Sequence, residues 1–133
     1  MKKLAIVVTV LALNGCAIYD ALMMTNYDPN EYMLVTQIRT NAQQFKTQCD
    51  KPDADKRAKR IAYQTKLFEN YSEQIPNNEN GKNASEGLNE IAQGLAKRYN
   101  DGDKVSPAFC KLKFEGIQNS ADTIRHVIAN RPR

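Results

Sequence analysis

The chain has no tryptophan and a single histidine, His126. It contains no Cys-x-x-Cys pair and no Gly-x-Ser-x-Gly turn of the kind that presents a nucleophile. One imidazole leaves little for a metal site or a catalytic triad. His126 sits in Ile124-Arg125-His126-Val127, away from the apolar positions of that segment, and reads as a solvated residue near a helix C-terminus. Asp101-Gly102-Asp103 resembles a fragment of a calcium loop, but the twelve-residue pattern with its closing Glu is missing, so it reads as a turn. Alternating β-branched runs are absent too. Asn80-Gly81 lacks the alternating flanks of a hairpin. The residues thus give no enzyme signature, no cofactor site, no small-molecule site and no strands.

What is present begins at the N-terminus. Met1-Lys2-Lys3 is a short cationic segment, followed by Leu4 to Leu13, apolar apart from Thr9. Ten residues suit the apolar region of a signal peptide; a membrane-spanning helix needs about 20. Leu13-Asn14-Gly15-Cys16 then resembles the lipobox of bacterial lipoproteins, with Leu at −3, a small residue at −1 and the cysteine to be acylated. Asn14 departs from the usual small residue at −2, the permissive position. The resemblance implies cleavage before Cys16, lipid on that cysteine, and a stable anchor, since several acyl chains hold where one is marginal. It also implies outer-membrane sorting with the body in the periplasm, because Ala17 stands where an Asp would favour inner-membrane retention.

Three parts are expected: a signal peptide over 1–15, a lipidated tether over 16–28 and a helical domain over 29–133. Lys2 and Lys3 leave with the signal, so 17 basic residues remain against 15 acidic ones and the formal charge falls from +4 to +2. No basic stripe dense enough for nucleic acid remains. With Cys16 lipidated, Cys49 and Cys110 form an even pair in an oxidising compartment, most simply one disulfide.

The tether carries Tyr19, Leu22 and Met23 on one helical face, to lie on lipid headgroups or, as apolar stripes usually do, on the domain. Asp28-Pro29 starts a first helix, with Glu31 completing a capping-box pattern. Leu34, Ile38, Ala42, Phe45 and Cys49 trace its inner face over about 20 residues. The second helix runs from Asp53 to Ile75 through Ala58, Ile61, Thr65, Phe68 and Ser72, with Tyr63, Leu67 and Tyr71 widening the stripe. Residues 76–83 read as a polar loop with nothing to bury. A third helix spans 84–100 with Leu88, Ile91, Ala92 and Leu95 inward; Gly87 and Gly94 would admit a close neighbour. Ser106-Pro107 opens the fourth, striped by Cys110, Phe114, Ile117, Ala121, Ile124 and Ile128.

These segments predict an all-α, up-down-up-down antiparallel bundle. In that topology the end of the first helix and the start of the fourth share one end, which is where Cys49 and Cys110 fall. Closing such a loop contributes about 4 kcal/mol in the chain-entropy model.

Two features suggest binding rather than catalysis. Lys56, Arg57, Lys59 and Arg60 cluster at the start of the second helix, either as a solvated face or as a contact with an anionic surface. Tyr27, Tyr32, Tyr63, Tyr71 and Tyr99 flank the helices as core edges or as interface anchors. In architecture the chain resembles small lipoproteins of bacteria, phages and mobile elements, including exclusion lipoproteins that block an envelope receptor or channel. That resemblance implies an envelope protein partner besides the membrane. Alternatives are an assembly accessory of an envelope machine and a phage outer-membrane lysis (spanin-type) lipoprotein, the latter being typically proline-rich and extended.

Overall fold

A computed structural model describes residues 25–133. The expected signal peptide, the expected lipobox with Cys16 and the expected tether as far as residue 24 lie outside the described residues. Four helices follow in order: α1 (Pro29–Phe45), α2 (Ala54–Gln74), α3 (Glu79–Asn100) and α4 (Pro107–Ala129). They form an antiparallel bundle. The broadest contacts join α1 to α4 and α2 to α3, and narrower ones join α1 to α2 and α3 to α4.

Local chemistry sets two of the starts as expected. The Asp28 carboxylate accepts from the backbone N–H groups of Asn30 and Glu31 at 2.9 and 2.8 Å, and Pro29 occupies the first turn where no donor is needed. Ser106 accepts from Phe109 N–H at 3.1 Å ahead of Pro107. Between the helices Val35, Ile38, Ala42 and Phe45 of α1 meet Phe114, Ile117 and Ala121 of α4, with the Phe45 and Phe114 rings edge-on at 5.8 Å. On the other side Ala58 and Ala62 of α2 and Ala92 and Ala96 of α3 are all buried. Small side chains let two backbones approach closely, consistent with the breadth of that contact.

Cys49 and Cys110 are disulfide-bonded, with Cα atoms 5.9 Å apart and a sequence separation of 61. Cys49 is not in the last turn of α1, however. The helix stops at Phe45, and a tight turn carries the chain on, with Gln48 N–H bonded to the Phe45 carbonyl at 2.9 Å. Pro52 has no N–H to offer the Gln48 carbonyl, so a helix could not continue through it. The Gln48 carbonyl accepts instead from Lys51 N–H at 3.1 Å and from the Arg57 guanidinium at 2.7 Å, which also bonds the Pro52 carbonyl at 2.9 Å.

Several expectations need correcting. Val35, not Leu34, is the fully buried residue in that turn of α1. On α2 the stripe widens through Ala62 rather than through Tyr63 and Leu67, which are 70% and 43% exposed. Gly87 and Gly94 face open space, with nothing within 4 Å of an added Cβ, so neither serves close packing. The third helix starts at Glu79, five residues before the expected 84, and the segment over 76–83 does bury residues: Asn78 and Gly81. Glu31 does not turn back to complete the capping box; its side chain points inward, for the reason given next.

Candidate functional site

Two ends of the bundle differ in chemistry. At the end where the described chain begins, Glu31 is fully buried. One carboxylate oxygen accepts from Ser72 Oγ at 3.0 Å and Asn78 Nδ2 at 2.9 Å, and the other accepts from Arg131. Arg131 also donates to Asn78 Oδ1 at 2.9 Å, and Asn78 donates to the Ser72 carbonyl at 3.1 Å. The acid is held inward because three donors meet it there, and a buried carboxylate persists only when so paired. Gly81 makes room: a Cβ on it would lie 2.2 Å from Asn78 Oδ1. The chain entering the bundle is tied to the same place. Thr25 Oγ1 donates to the Asn77 carbonyl at 2.6 Å, and Tyr27 N–H donates to the Pro132 carbonyl at 2.7 Å. The Arg133 guanidinium lies 4.2 Å from the Tyr27 ring.

A second ionic group holds α1 to α4. Asp122 accepts from Arg39 and Arg125, each at 3.0 Å, and Arg125 donates to the Tyr32 hydroxyl at 3.1 Å. The hydrogen bond from Arg125 keeps the Asp122 carboxyl below its ordinary value. His126 is exposed beside it, Nε2 3.6 Å from Asp122.

The opposite, disulfide-bearing end is basic. Residues 46–60 and 97–113 carry Lys46, Lys51, Lys56, Arg57, Lys59, Arg60, Lys97, Arg98, Lys104, Lys111 and Lys113 against five aspartates, a net +6. Residues 25–31, 69–86 and 122–133, at the other end, carry seven acids and four bases, a net −3. Some of the cations are internally engaged: Arg98 and Lys113 lie 4.4 and 5.4 Å from the Phe109 ring, and Asp101 beside Lys97 holds that ammonium above its ordinary value.

The structure separates the four cations singled out by sequence. Arg57 is half-buried and binds the turn after α1. Lys56 pairs with Asp53 at 3.3 Å and Lys59 with Asp55 at 3.8 Å, both ammonium groups staying more than half exposed. Arg60 has no carboxylate within 4.0 Å among the described residues. Asp53 and Asp55 thus offset Lys56 and Lys59 locally and Arg57 is engaged by the turn after α1, which leaves Arg60 as the cation of the four without a local partner among the described residues.

Of the tyrosines, Tyr32 bonds Arg125, Tyr71 donates to Asp28 at 3.1 Å, and Tyr27 lies 5.9 Å from Tyr32 ring to ring. Burial pushes the Tyr99 hydroxyl up. Tyr63 alone of the five noted in sequence stands out in solvent. Among the described residues no three His, Cys, Asp or Glu side chains are grouped to hold a metal ion, and no helix is long and apolar enough to cross a membrane.

No protein-family model, curated protein or solved structure matches the chain.

Proposed function

We propose that the protein is an outer-membrane-anchored lipoprotein facing the periplasm, which works by binding another envelope protein rather than by catalysis. The observation that supports this most is the polarity of the bundle. The chain enters at the end tied down through Thr25 and Tyr27, and the cation excess lies at the other end. A helix the length of α2 separates them by about 30 Å. With lipid on Cys16, the nine residues to position 24 reach at most about 32 Å. Attachment at the Thr25 end makes the basic end the one farther along the bundle from the anchor. Such an arrangement suits occlusion of a receptor or channel, the mode of the exclusion lipoproteins that the architecture resembles.

Cells expressing the full chain and a Cys16→Ser variant test this. Labelled palmitate is expected to enter the first and not the second, and the variant, lacking the cysteine before which the lipobox is cut, is expected to keep its signal segment. A short amine-reactive cross-linker is expected to yield a discrete protein adduct in wild-type cells, strongly reduced in the variant. Equal labelling of both chains refutes the anchor on Cys16. Labelling without any adduct refutes the binding role.

A further inference from the structure

Resting on that reading and narrowing it, we infer that the outward ridge of α2 is the docking surface, and that it fits an acidic protein face carrying an apolar socket. Lys56, Arg60, Tyr63 and Leu67 follow one another at spacings of 4, 3 and 4, which places them on one line of the helix. All four face solvent, with Tyr63 at 70% and Leu67 at 43% exposure. The bundle needs none of them, since Ala58, Ile61, Ala62, Thr65 and Phe68 supply the inner face of the same helix. Scattered exposed apolar residues are ordinary. A tyrosine and a leucine one turn apart, continuous with two cations, are a patch.

Among the described residues no other helix carries two exposed large apolar side chains one turn apart in line with two cations. The exposed Met33 of α1 is followed along its face by Gln37, Thr40 and Gln44, all neutral. On α4 the exposed Leu112 and Val127 stand four turns apart with Asn119 and Thr123 between them. Charge then selects the partner. Lys56 already pairs with Asp53, whereas Arg60 has no carboxylate within 4.0 Å among the described residues. A carboxylate from outside would offset it. Apolar area decides between a protein and a lipid surface. A helix lying in a membrane interface buries a continuous apolar face, whereas this ridge offers two side chains. Arginine and tyrosine side by side are instead the residue types that dominate protein interfaces.

The test uses the full anchored chain in cells, with the photo-cross-linking residue p-benzoylphenylalanine replacing Tyr63, Met33 or Leu112 in turn. An adduct is expected from position 63 and not from 33 or 112, joined to a segment of the partner that carries Asp or Glu. Arg60→Glu is expected to lower its yield at least tenfold, and Arg60→Gln, which removes the charge without reversing it, to lower it less. A Lys in place of the partner's carboxylate should restore the adduct to Arg60→Glu. Adducts to lipid alone, an adduct indifferent to Arg60→Glu, or a partner segment without carboxylates would each overturn the assignment. An adduct from Leu112 alone removes this surface and leaves the binding role standing. Silence from all three positions counts against both.

Discussion

Arg131 donates to the buried carboxylate of Glu31 across 100 residues of chain, joining the segment after α4 to the first turn of α1. The pair closes the bundle at the end where the chain enters. Asn78 and Ser72 complete it, so α2 and the start of α3 are held by the same carboxylate.

Removing one partner leaves an uncompensated charge in the interior. Arg131→Met is expected to destabilise the domain by about 3–5 kcal/mol. Replacing both residues, Glu31→Met with Arg131→Met, is expected to recover part of that loss. Urea titration followed by circular dichroism measures both, and a double variant no better than the single would show that the pair is not the source.

Gly81 is required by proximity, not by backbone conformation. A methyl group there displaces the Asn78 amide, which bonds Glu31, Arg131 and the Ser72 carbonyl. Gly81→Ala is expected to cost about 1–3 kcal/mol, although Ala is the better helix former by about 1 kcal/mol. Gly87→Ala and Gly94→Ala, facing open space, are expected to be neutral or stabilising in the same titration.

The disulfide joins the turn after α1 to the first turn of α4. Replacing Cys49 and Cys110 together by Ala is expected to lower stability by about 4 kcal/mol. Peptide mapping without reductant should recover the two cysteines in one linked fragment. Unfolding of the wild-type domain in reductant should approach that of the double variant.

Asp122 gives a pH dependence with a definite sign. Its carboxyl titrates below the ordinary 3.8 in the folded chain because Arg125, then Arg39, favour the charged form. Its contribution is therefore present above that value and is lost as pH falls through the lowered pKa. Between pH 5 and 2 the wild-type domain is expected to lose stability more steeply than Asp122→Asn. Parallel acid profiles would remove Asp122 from the acid response.

How much of this was legible beforehand depended on how local the cause is. Asp28-Pro29 and Ser106-Pro107 announce helix starts because the side chain caps its own neighbours, and the α4 stripe repeats with a period that only a helix satisfies. The cysteine pairing was readable because topology put both residues at one end. Tyr63 and Leu67 face solvent although their apolar character points inward, because Ala58, Ile61 and Ala62 already fill the face toward the neighbouring helices. Yet with Lys56 and Arg60 they form a line of their own, and that spacing was available in the sequence.

The Glu31 cluster had no such signal. Glu31 sits where a capping-box acid belongs, Asn78 where a helix cap belongs, and Arg131 beyond the last helix, each with an ordinary local role. Their actual roles depend on four distant segments arriving at one point, where a buried charge must find its partners or not persist. Chain-local patterns therefore specify helices, their order and the pairing of Cys49 with Cys110. Which polar residues turn inward, and which face of α2 is left to solvent, follow from what the neighbouring helices cover.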